Sequence, residues 1–225
     1  MEKKSFQIFA EDGVEITADL YQVDDSKGLI LLFHQARYSR GEYLPIIPKL
    51  TQMGYSCLSI DQRSGDEVND VINQTHQFAV KLGKPTNYTD AIPDIDATIR
   101  YAIDSLAVEK FIYWGSSYSA ALSFYFGQRY VDNIQAIVAF SPGEYFELDG
   151  KSISSFASDI QCPVFISSAK NEEKNWKPIY NSLTSDKYFY LPVDEGFHGS
   201  SALWESKKGN QAVWTSLSRF LEKIP

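Results

Sequence analysis

The sequence contains little of what a metal site or a disulfide framework would need. Its 225 residues include two cysteines, Cys57 and Cys162, and only three histidines. Both cysteines border apolar stretches, which is typical of free thiols buried as small hydrophobic groups. Their spacing matches no metal-ligand motif. The sequence therefore predicts no disulfide, no bound metal and no organic cofactor.

Long apolar runs and an excess of positive charge are also lacking. No apolar run approaches the ~20 residues that a membrane-spanning helix needs, and the N-terminus has no apolar segment of the signal-peptide kind. Lys and Arg total 21 against 29 Asp and Glu, a formal net charge of −8. This balance argues against a general nucleic-acid binder. We expect a reduced, cytoplasmic protein with no membrane span and no nucleic-acid partner.

The pattern that is present is that of an α/β domain. FQIFA and VEITADLYQV, separated by Glu11-Asp12-Gly13, predict an antiparallel hairpin whose second strand alternates apolar and polar residues and is therefore half buried. Helical periods are found over residues 43–53, 92–106, 120–130 and 212–224. Continuous apolar runs, typical of strands covered on both faces, are GLILLFH (28–34), YSCLSI (55–60), KFIYWG (110–115), IQAIVAF (134–140), PVFISS (163–168) and KYFYLP (187–192).

Strands that alternate with helices predict a mostly parallel, twisted sheet with helices on both faces, headed by the antiparallel hairpin. We expect a single domain over residues 1–225. Residues 62–90 fit this pattern least, because they form a long polar connection between a strand and the next helix. We interpret them either as a lid or insert over a site, or as a solvated excursion with one short helix over 71–80.

The most specific local feature is a buried strand that runs through residues 115–119 (GSSYS) directly into a helix. Small residues at both ends of this segment would let the strand and the helix approach closely around a strained turn. Ser117 would then lie at the carboxyl end of the sheet, where open α/β folds bind ligands. The N–H of Tyr118 would point toward a developing oxyanion. The alternative is an ordinary serine-rich turn that caps its helix.

A serine nucleophile needs a base and an acid that orients the base. His198 lies beside glycines in a loop after the last strand, whereas His76 lies in the polar segment. His34 ends a strand and is better placed to organise the backbone. Glu172 or Glu173 follows the strand PVFISS at the same edge of the sheet and would accept the Nδ1–H of the base.

These residues resemble the α/β-hydrolase fold, in particular its small dienelactone-hydrolase-like and serine esterase members. The order Ser117, Glu172, His198 is the family's order of nucleophile, acid and base. The family's G-x-S-x-G motif matches residues 115–119 except at Ser119. The family's G-x-x-D pattern aligns with residues 169–172, which favours Glu172 over the neighbouring acids. The resemblance covers nearly the whole chain.

Other family features suggest the remaining parts of the site. The family's H-G oxyanion turn appears here as His34-Gln35, which implies the N–H of Gln35 as the second oxyanion donor, with Ala36 less favoured. The turn after the family's fourth strand appears as residues 61–66. About twenty residues follow the sixth strand of the family order, too few for a helical cap. We therefore expect no large cap and a shallow pocket, roofed if at all by residues 62–90.

The resemblance implies a serine hydrolase of small carboxylic esters or thioesters that works through an acyl-enzyme intermediate. Trp114 and Tyr43 are candidate lining residues, although Trp114 would equally suit the core behind the sheet. Arg37 and Arg63 follow strands that end at the expected site and would bind an anionic group of the substrate. Two alternatives stay open: another acyl hydrolase or transferase (a peptidase or a C–C hydrolase) on the same triad, and a non-catalytic ligand-binding protein.

Overall fold

The computed structural model describes residues 2–224. The chain divides into two compact units, one ending at Phe111 and the other beginning at Ile112. In each unit, parallel strands alternate with helices, and the antiparallel hairpin comes first in the chain. The predicted α/β class is confirmed. That the chain acts as a single domain stays a prediction.

The first unit contains the hairpin, two parallel strands and the whole polar segment 62–90. Its strands have the order β1-β2-β4-β3, with β1 and β4 antiparallel to β2 and with β3 parallel to β4. The hairpin turns at Gly13, whose φ of +84° lies in the region that favours glycine. Its elements are β1 (Glu2–Phe9), β2 (Glu15–Gln22), β3 (Leu29–Phe33), α1 (Ile47–Gln52), β4 (Ser56–Ile60), β5 (Glu67–Val68), β6 (Val71–Ile72), α2 (Gln74–Lys81), α3 (Ile92–Asp104) and the 3-10 helices Arg40–Tyr43 and Thr89–Ala91.

Strand β2 is buried on both faces, so the prediction of a half-buried strand is wrong. Its polar residues Thr17 and Asp19 are buried together with the apolar ones. Thr17 N–H donates to Thr75 Oγ1 at 2.9 Å, and Asp19 accepts a hydrogen bond from the Nε of Arg40 at 2.9 Å. The alternation of apolar and polar residues is present, but the polar face of β2 is covered by α2 and by Arg40 rather than by water.

The polar segment 62–90 is folded. It contains the small hairpin β5-β6, with positive φ at both turn residues Asn69 and Asp70 as primed hairpin turns require, and the helix α2. The predicted short helix over 71–80 is confirmed at Gln74–Lys81. The buried residues Thr75 and Ala79 fasten this helix to its own unit. A role as a lid stays a prediction.

The second unit carries four strands in the order β7-β8-β9-β10, with β8, β9 and β10 parallel. β7, β8 and β9 are almost wholly buried, as their apolar runs predict. β10 is half exposed because it is the last strand, so the prediction of a doubly covered strand is wrong there. The elements are β7 (Phe111–Ser116), α4 (Tyr118–Arg129), β8 (Ile134–Phe140), α5 (Ile153–Ala157), β9 (Val164–Ser167), α6 (Glu173–Ser182), β10 (Lys187–Tyr190), α7 (Asn210–Leu221) and the 3-10 helices Lys170–Glu172 and Ser200–Leu203.

No large cap interrupts the second unit. The connection between β8 and β9 contains a single helix, α5, of five residues. Helix α6 was not predicted from the sequence. Among residues 2–224, no helix is both long and apolar enough to cross a membrane.

Candidate active site

The turn between β7 and α4 holds Ser117 in a strained conformation. Its φ of 60° and ψ of −118° are rare for a residue with a side chain. Gly115 makes the turn possible, because a Cβ there would lie 2.4 Å from the carbonyl oxygen of Ser119 and 2.5 Å from the amide of Ala120. The N–H of Ser117 donates to Phe140 O at 2.7 Å, which fixes the turn to β8. These features fit the nucleophile elbow expected at 115–119.

Ser119 takes the place of the motif's last glycine, and its hydroxyl is used within the turn. Ser119 Oγ accepts a hydrogen bond from the N–H of Ser116 at 3.0 Å and donates to the carbonyl oxygen of Ser116 at 2.9 Å. The side chain is fully buried. The departure from G-x-S-x-G therefore closes the turn with a side chain.

The structure brings His198 and Glu172 into direct contact. Glu172 ends the short helix after β9, and His198 lies in the loop after β10. His198 Nδ1 hydrogen-bonds to Glu172 Oε1. Glu173 instead pairs with Lys177, at 2.9 Å. Of the two acids that the sequence offered, Glu172 is therefore the one that contacts the imidazole.

Glu172 is held as a carboxylate by three hydrogen bonds. Burial would raise its pKa, but the bonds from His198, from Ser141 Oγ (2.7 Å) and from the N–H of Ala169 (3.1 Å) outweigh burial and place the pKa below its ordinary value. A charged acid at this position favours the tautomer of His198 that carries its proton on Nδ1. The Nε2 atom of that tautomer is a proton acceptor.

The structure places no hydrogen bond between Ser117 and His198. Among the described residues, neither the hydroxyl of Ser117 nor the Nε2 of His198 has a hydrogen-bond partner. The side chain of His198 is 41% exposed. The loop of His198 is nevertheless tied to the elbow, because the N–H of Ser200 donates to Ser116 Oγ at 2.9 Å. Catalytic hydrogen bonds in ligand-free enzymes are often long and tighten when substrate binds.

The prediction that Gln35 supplies the second oxyanion donor is corrected by its contacts. The N–H of Gln35 already donates to Glu42 Oε2 at 2.8 Å, and Glu42 is fully buried. Ala36, the less favoured candidate, has an N–H that makes no hydrogen bond with any described residue. Glu42 was missed by sequence reasoning, and a buried carboxylate that accepts a backbone N–H seven residues earlier leaves no local signal.

His34 organises the backbone, as its position predicts. It is fully buried, and its Nδ1 donates to Gln35 O at 2.7 Å while its Nε2 accepts the N–H of Gln62 at 2.8 Å. Burial lowers its pKa to about 4, so the ring is neutral near pH 7. The third histidine, His76, bonds through Nδ1 to Arg63 O at 2.7 Å.

Two of the residues proposed to contact substrate lie in the core of the first unit, which corrects both predictions. Arg63 is 2% exposed, and its guanidinium is paired with Asp94 at 2.7 Å and Asp12 at 2.6 Å. Tyr43 is fully buried and donates its hydroxyl hydrogen to Phe33 O at 2.7 Å. Neither side chain has a polar group left for an anionic or ester substrate.

Trp114 is also a core residue, so its lining role is corrected in favour of packing. It is fully buried, its ring stacks on Phe140 with 5.4 Å between centroids, and its Nε1–H donates to Ser200 Oγ at 2.9 Å. Arg37 differs from these residues because it is exposed and makes no ion pair with any described residue. Its φ of 65° lies in the left-handed region. Its role toward substrate stays a prediction.

Solved structures that include an esterase and a dienelactone hydrolase share this architecture over most of their length. An esterase of Pyrococcus furiosus, Pf2001, is 17% identical and superposes with a TM-score of 0.77 over 99% of this chain and 93% of that chain. A dienelactone hydrolase from Anabaena variabilis is 14% identical, with a TM-score of 0.75 over 100% of this chain and 99% of that one. Est1E from Butyrivibrio proteoclasticus is 14% identical, with a TM-score of 0.71 over 98% of both chains. The chain has the α/β-hydrolase fold.

No family model and no curated protein matches the sequence. Within the α/β-hydrolase fold, Ser117, Glu172 and His198 follow β7, β9 and β10, at the ends of strands where this fold carries its chemistry. No group of three or more His, Cys, Asp or Glu among the described residues would hold a metal ion.

Proposed function

We propose that the protein is a serine hydrolase that cleaves small carboxylic esters or thioesters through an acyl-enzyme intermediate. Ser117 is the nucleophile, His198 the general base and Glu172 the acid that orients the base. The observation that carries the proposal is the contact of His198 with Glu172. The loop of His198 is hydrogen-bonded to the strained turn that contains Ser117. Similar solved structures, one of an esterase and one of a dienelactone hydrolase, support the proposal.

In the first half of the reaction, Ser117 Oγ attacks the carbonyl carbon while His198 Nε2 takes the hydroxyl proton. The carbonyl oxygen becomes an oxyanion near the N–H of Tyr118, the first residue of α4, where the positive end of the helix favours negative charge. The bond to the leaving group then breaks, and His198 gives its proton to the departing alkoxide or thiolate. Ser117 is left acylated.

In the second half, water attacks the acyl carbon and His198 Nε2 takes a proton from it. The tetrahedral intermediate expels Ser117 Oγ, which regains its proton from His198, and the free acid leaves. Glu172 stays ionised throughout and stabilises the imidazolium that forms in each half. Its lowered pKa suits this role, because the carboxylate is retained at neutral pH.

The second oxyanion donor is transferred in this proposal from Gln35 to Ala36. Glu42 occupies the N–H of Gln35, whereas the N–H of Ala36 has no partner among the described residues. Losing one donor of an oxyanion hole costs roughly 3 kcal/mol of transition-state stabilisation. A proline at position 36 would remove this donor, whereas a proline at position 35 would remove the N–H that bonds Glu42 and leave the N–H of Ala36 in place.

The substrate is proposed to be small, because the only helix between β8 and β9 is the five-residue α5. Arg37 is the exposed cation that would favour an acyl group with a carboxylate. Ferulic acid is bound in a solved structure of Est1E, which has the same fold at 12% identity. A screen would therefore contain short-chain esters and thioesters, a feruloyl ester, and esters of dicarboxylic acids.

The first test is covalent labelling of the purified protein with a fluorophosphonate, read by intact mass and peptide mapping. We expect one label per chain on Ser117, and no label in Ser117→Ala or His198→Ala. His76→Ala is the matched control and should label as the wild type does. Ester hydrolysis would then be measured on the same four proteins.

One specific observation supports a second candidate, a non-catalytic ligand-binding protein. Neither Ser117 Oγ nor His198 Nε2 is hydrogen-bonded to a described residue, which is the state of an unassembled triad. A well-folded wild type that takes up no label would decide for this candidate. Labelling at Ser116 or Ser119 instead of Ser117 would show that the nucleophile has been assigned to the wrong serine.

A further inference from the structure

Two consecutive backbone amides fasten the loop of His198 to the ends of two neighbouring strands. The N–H of Gly199 donates to Ser141 Oγ at 2.9 Å, and the N–H of Ser200 donates to Ser116 Oγ at 2.9 Å. Ser116 is the last residue of β7, and Ser141 directly follows β8. Both serines are fully buried. The chain that leaves His198 is therefore fixed by two hydroxyl groups.

Ser141, unlike Ser116, also hydrogen-bonds to Glu172. While its oxygen accepts the N–H of Gly199, its hydroxyl hydrogen goes to Glu172 Oε2 at 2.7 Å. Ser116 makes no hydrogen bond to Glu172, whose partners are His198, Ser141 and Ala169. A single hydroxyl thus contacts both the carboxylate that orients the imidazole and the loop that carries it.

The backbone of Ser141 is held firmly in an unfavourable conformation. Its φ of 53° is positive, which costs free energy for a residue with a side chain. Its N–H donates to Ser167 O at 2.7 Å, and its carbonyl oxygen accepts the hydroxyl of Tyr145 at 2.7 Å. Glycine would adopt this φ without strain. The hydrogen bonds of the Ser141 hydroxyl, which glycine would lack, offset this strain.

We propose that Ser141 is a positioning residue that sets the acid and the base of the site relative to each other. It directs Glu172 through Oε2, so that Oε1 faces the imidazole, and it holds the loop of His198 through the N–H of Gly199. Its effect on rate rests on the hydrolase function proposed above. Its contact with Glu172 does not depend on turnover.

No charged group around Glu172, among the described residues, replaces the hydrogen bond that Ser141 donates to its carboxylate. His198 is the titratable group that contacts the carboxylate. Lys170, on the same short helix, donates its ammonium group to Val193 O at 2.8 Å, and Glu173 pairs with Lys177. Burial works against the charge of Glu172, and the bond from Ser141 is one of those that oppose burial. Loss of that bond is therefore not compensated by a nearby cation.

The test compares Ser141→Ala and Ser141→Gly with Ser116→Ala. All three remove a serine acceptor from the loop, but only the changes at 141 remove a donor from Glu172. Ser141→Gly also relieves the positive φ, so it stays informative if the alanine variant is poorly folded. The first readout is the NMR titration of the Glu172 side-chain carboxyl carbon, which needs no substrate.

We expect the titration midpoint of Glu172 to rise by about one pH unit in both variants at 141, because a bond to the charged form is lost. It should stay at the wild-type value in Ser116→Ala. The second readout is the pH dependence of fluorophosphonate labelling. Its acid limb should move to higher pH in the variants at 141, with a labelling rate at pH 7 reduced at least tenfold. Ser116→Ala should lower the rate without moving the limb.

An unchanged Glu172 midpoint in both variants at 141 would overturn the proposal, as would an equal shift in Ser116→Ala. Failure of the hydrolase function gives a different result. In that case the wild type takes up no label, while the midpoint of Glu172 still moves when Ser141 is changed. The two proposals are therefore separated by one set of four proteins.

Discussion

His34 and His198 are the same residue type in opposite situations. His34 directly follows β3 and is fully buried, and both of its ring nitrogens are bonded to the backbone. His198 lies in a loop after β10 and is 41% exposed, with Nδ1 on a carboxylate. Its Nε2 has no partner among the described residues. The first ring holds the chain in place, and the second keeps one nitrogen available for chemistry.

The two rings differ in how many of their nitrogens are hydrogen-bonded within the protein. A neutral imidazole has one donor and one acceptor, and a ring with both engaged by backbone groups has nothing to offer a substrate. Burial adds to this for His34, because it lowers the pKa to about 4 and excludes the charged form. Arg63 follows the same logic, since its buried guanidinium is consumed by Asp12 and Asp94.

The largest expected effect separates the two histidines by activity. His198→Gln should lower ester hydrolysis by at least about a thousandfold, because the general base is lost. Its free energy of unfolding should change by less than about 1 kcal/mol, since the side chain is partly exposed. Steady-state kinetics and urea unfolding of the same preparation measure both. Full activity in His198→Gln would contradict its role as the base.

A large loss of stability is expected when the buried arginine is removed. Arg63→Met leaves the carboxylates of Asp94 and Asp12 without their cation, and breaking a buried ion pair in this way costs about 3–5 kcal/mol. Urea unfolding measures the change. Arg219→Met, at an exposed position, is the matched control and should alter stability by less than about 0.5 kcal/mol. Equal stability of the two variants would show that Arg63 is not held as described.

The pH dependence of stability should reveal His34. Its folded pKa of about 4 lies below the ordinary 6.5, so the unfolded chain binds the proton first as the pH falls. The stability that depends on the neutral ring is complete above pH 6.5 and is lost as the pH falls towards 4. Between pH 7.5 and 5.0 this amounts to about 2 kcal/mol, at 1.36 kcal/mol per pKa unit.

The measurement is the free energy of unfolding at both pH values in the wild type and in His34→Gln. Asp61 and Asp94, whose pKa values burial raises to about 6, act in the opposite direction but are common to both proteins. The difference between the two slopes therefore isolates His34. Identical slopes would mean that this ring titrates equally in the folded and unfolded chains.

The smallest expected effect concerns the end of the strand that precedes His34. Tyr43→Phe removes a buried hydroxyl and leaves Phe33 O without this donor, which should destabilise the protein by about 1 kcal/mol. Hydrolysis should be unchanged, because Tyr43 packs in the core. A Tyr88→Phe variant, at a position that is 43% exposed, is the control. A change in KM for Tyr43→Phe but not for Tyr88→Phe would indicate that Tyr43 lines the substrate pocket after all, against the evidence of its burial.

Much of the fold was predictable because its strands are continuous apolar runs bounded by polar residues. Five of these runs became strands that are almost wholly buried, and the hairpin turned at the glycine expected. Helix α6 escaped prediction because its buried face consists of Trp176 and Ile179 alone and because Pro178 lies within it. A helical period carried by two residues is too weak to read.

Within the site, the contact of Glu172 with His198 follows from strand order and motif spacing, which place both after parallel strands. The partners of Gln35, Tyr43 and Arg63 do not follow from these signals. Each depends on where one side chain reaches: Glu42 to a backbone N–H, a hydroxyl to Phe33 O, and Arg63 to Asp12, 51 residues away. The type of residue that follows a strand indicates possible chemistry. It does not indicate whether the side chain points into the site or is paired within the core.

Ser119 makes the turn between β7 and α4 sensitive to substitution at position 119. A serine at this position makes two hydrogen bonds to Ser116 that glycine would lack. Starting from serine, a return to glycine removes both bonds from a fully buried location. The serine is therefore part of what holds the turn closed, and its replacement by glycine is not neutral even though glycine is the residue of the family's motif.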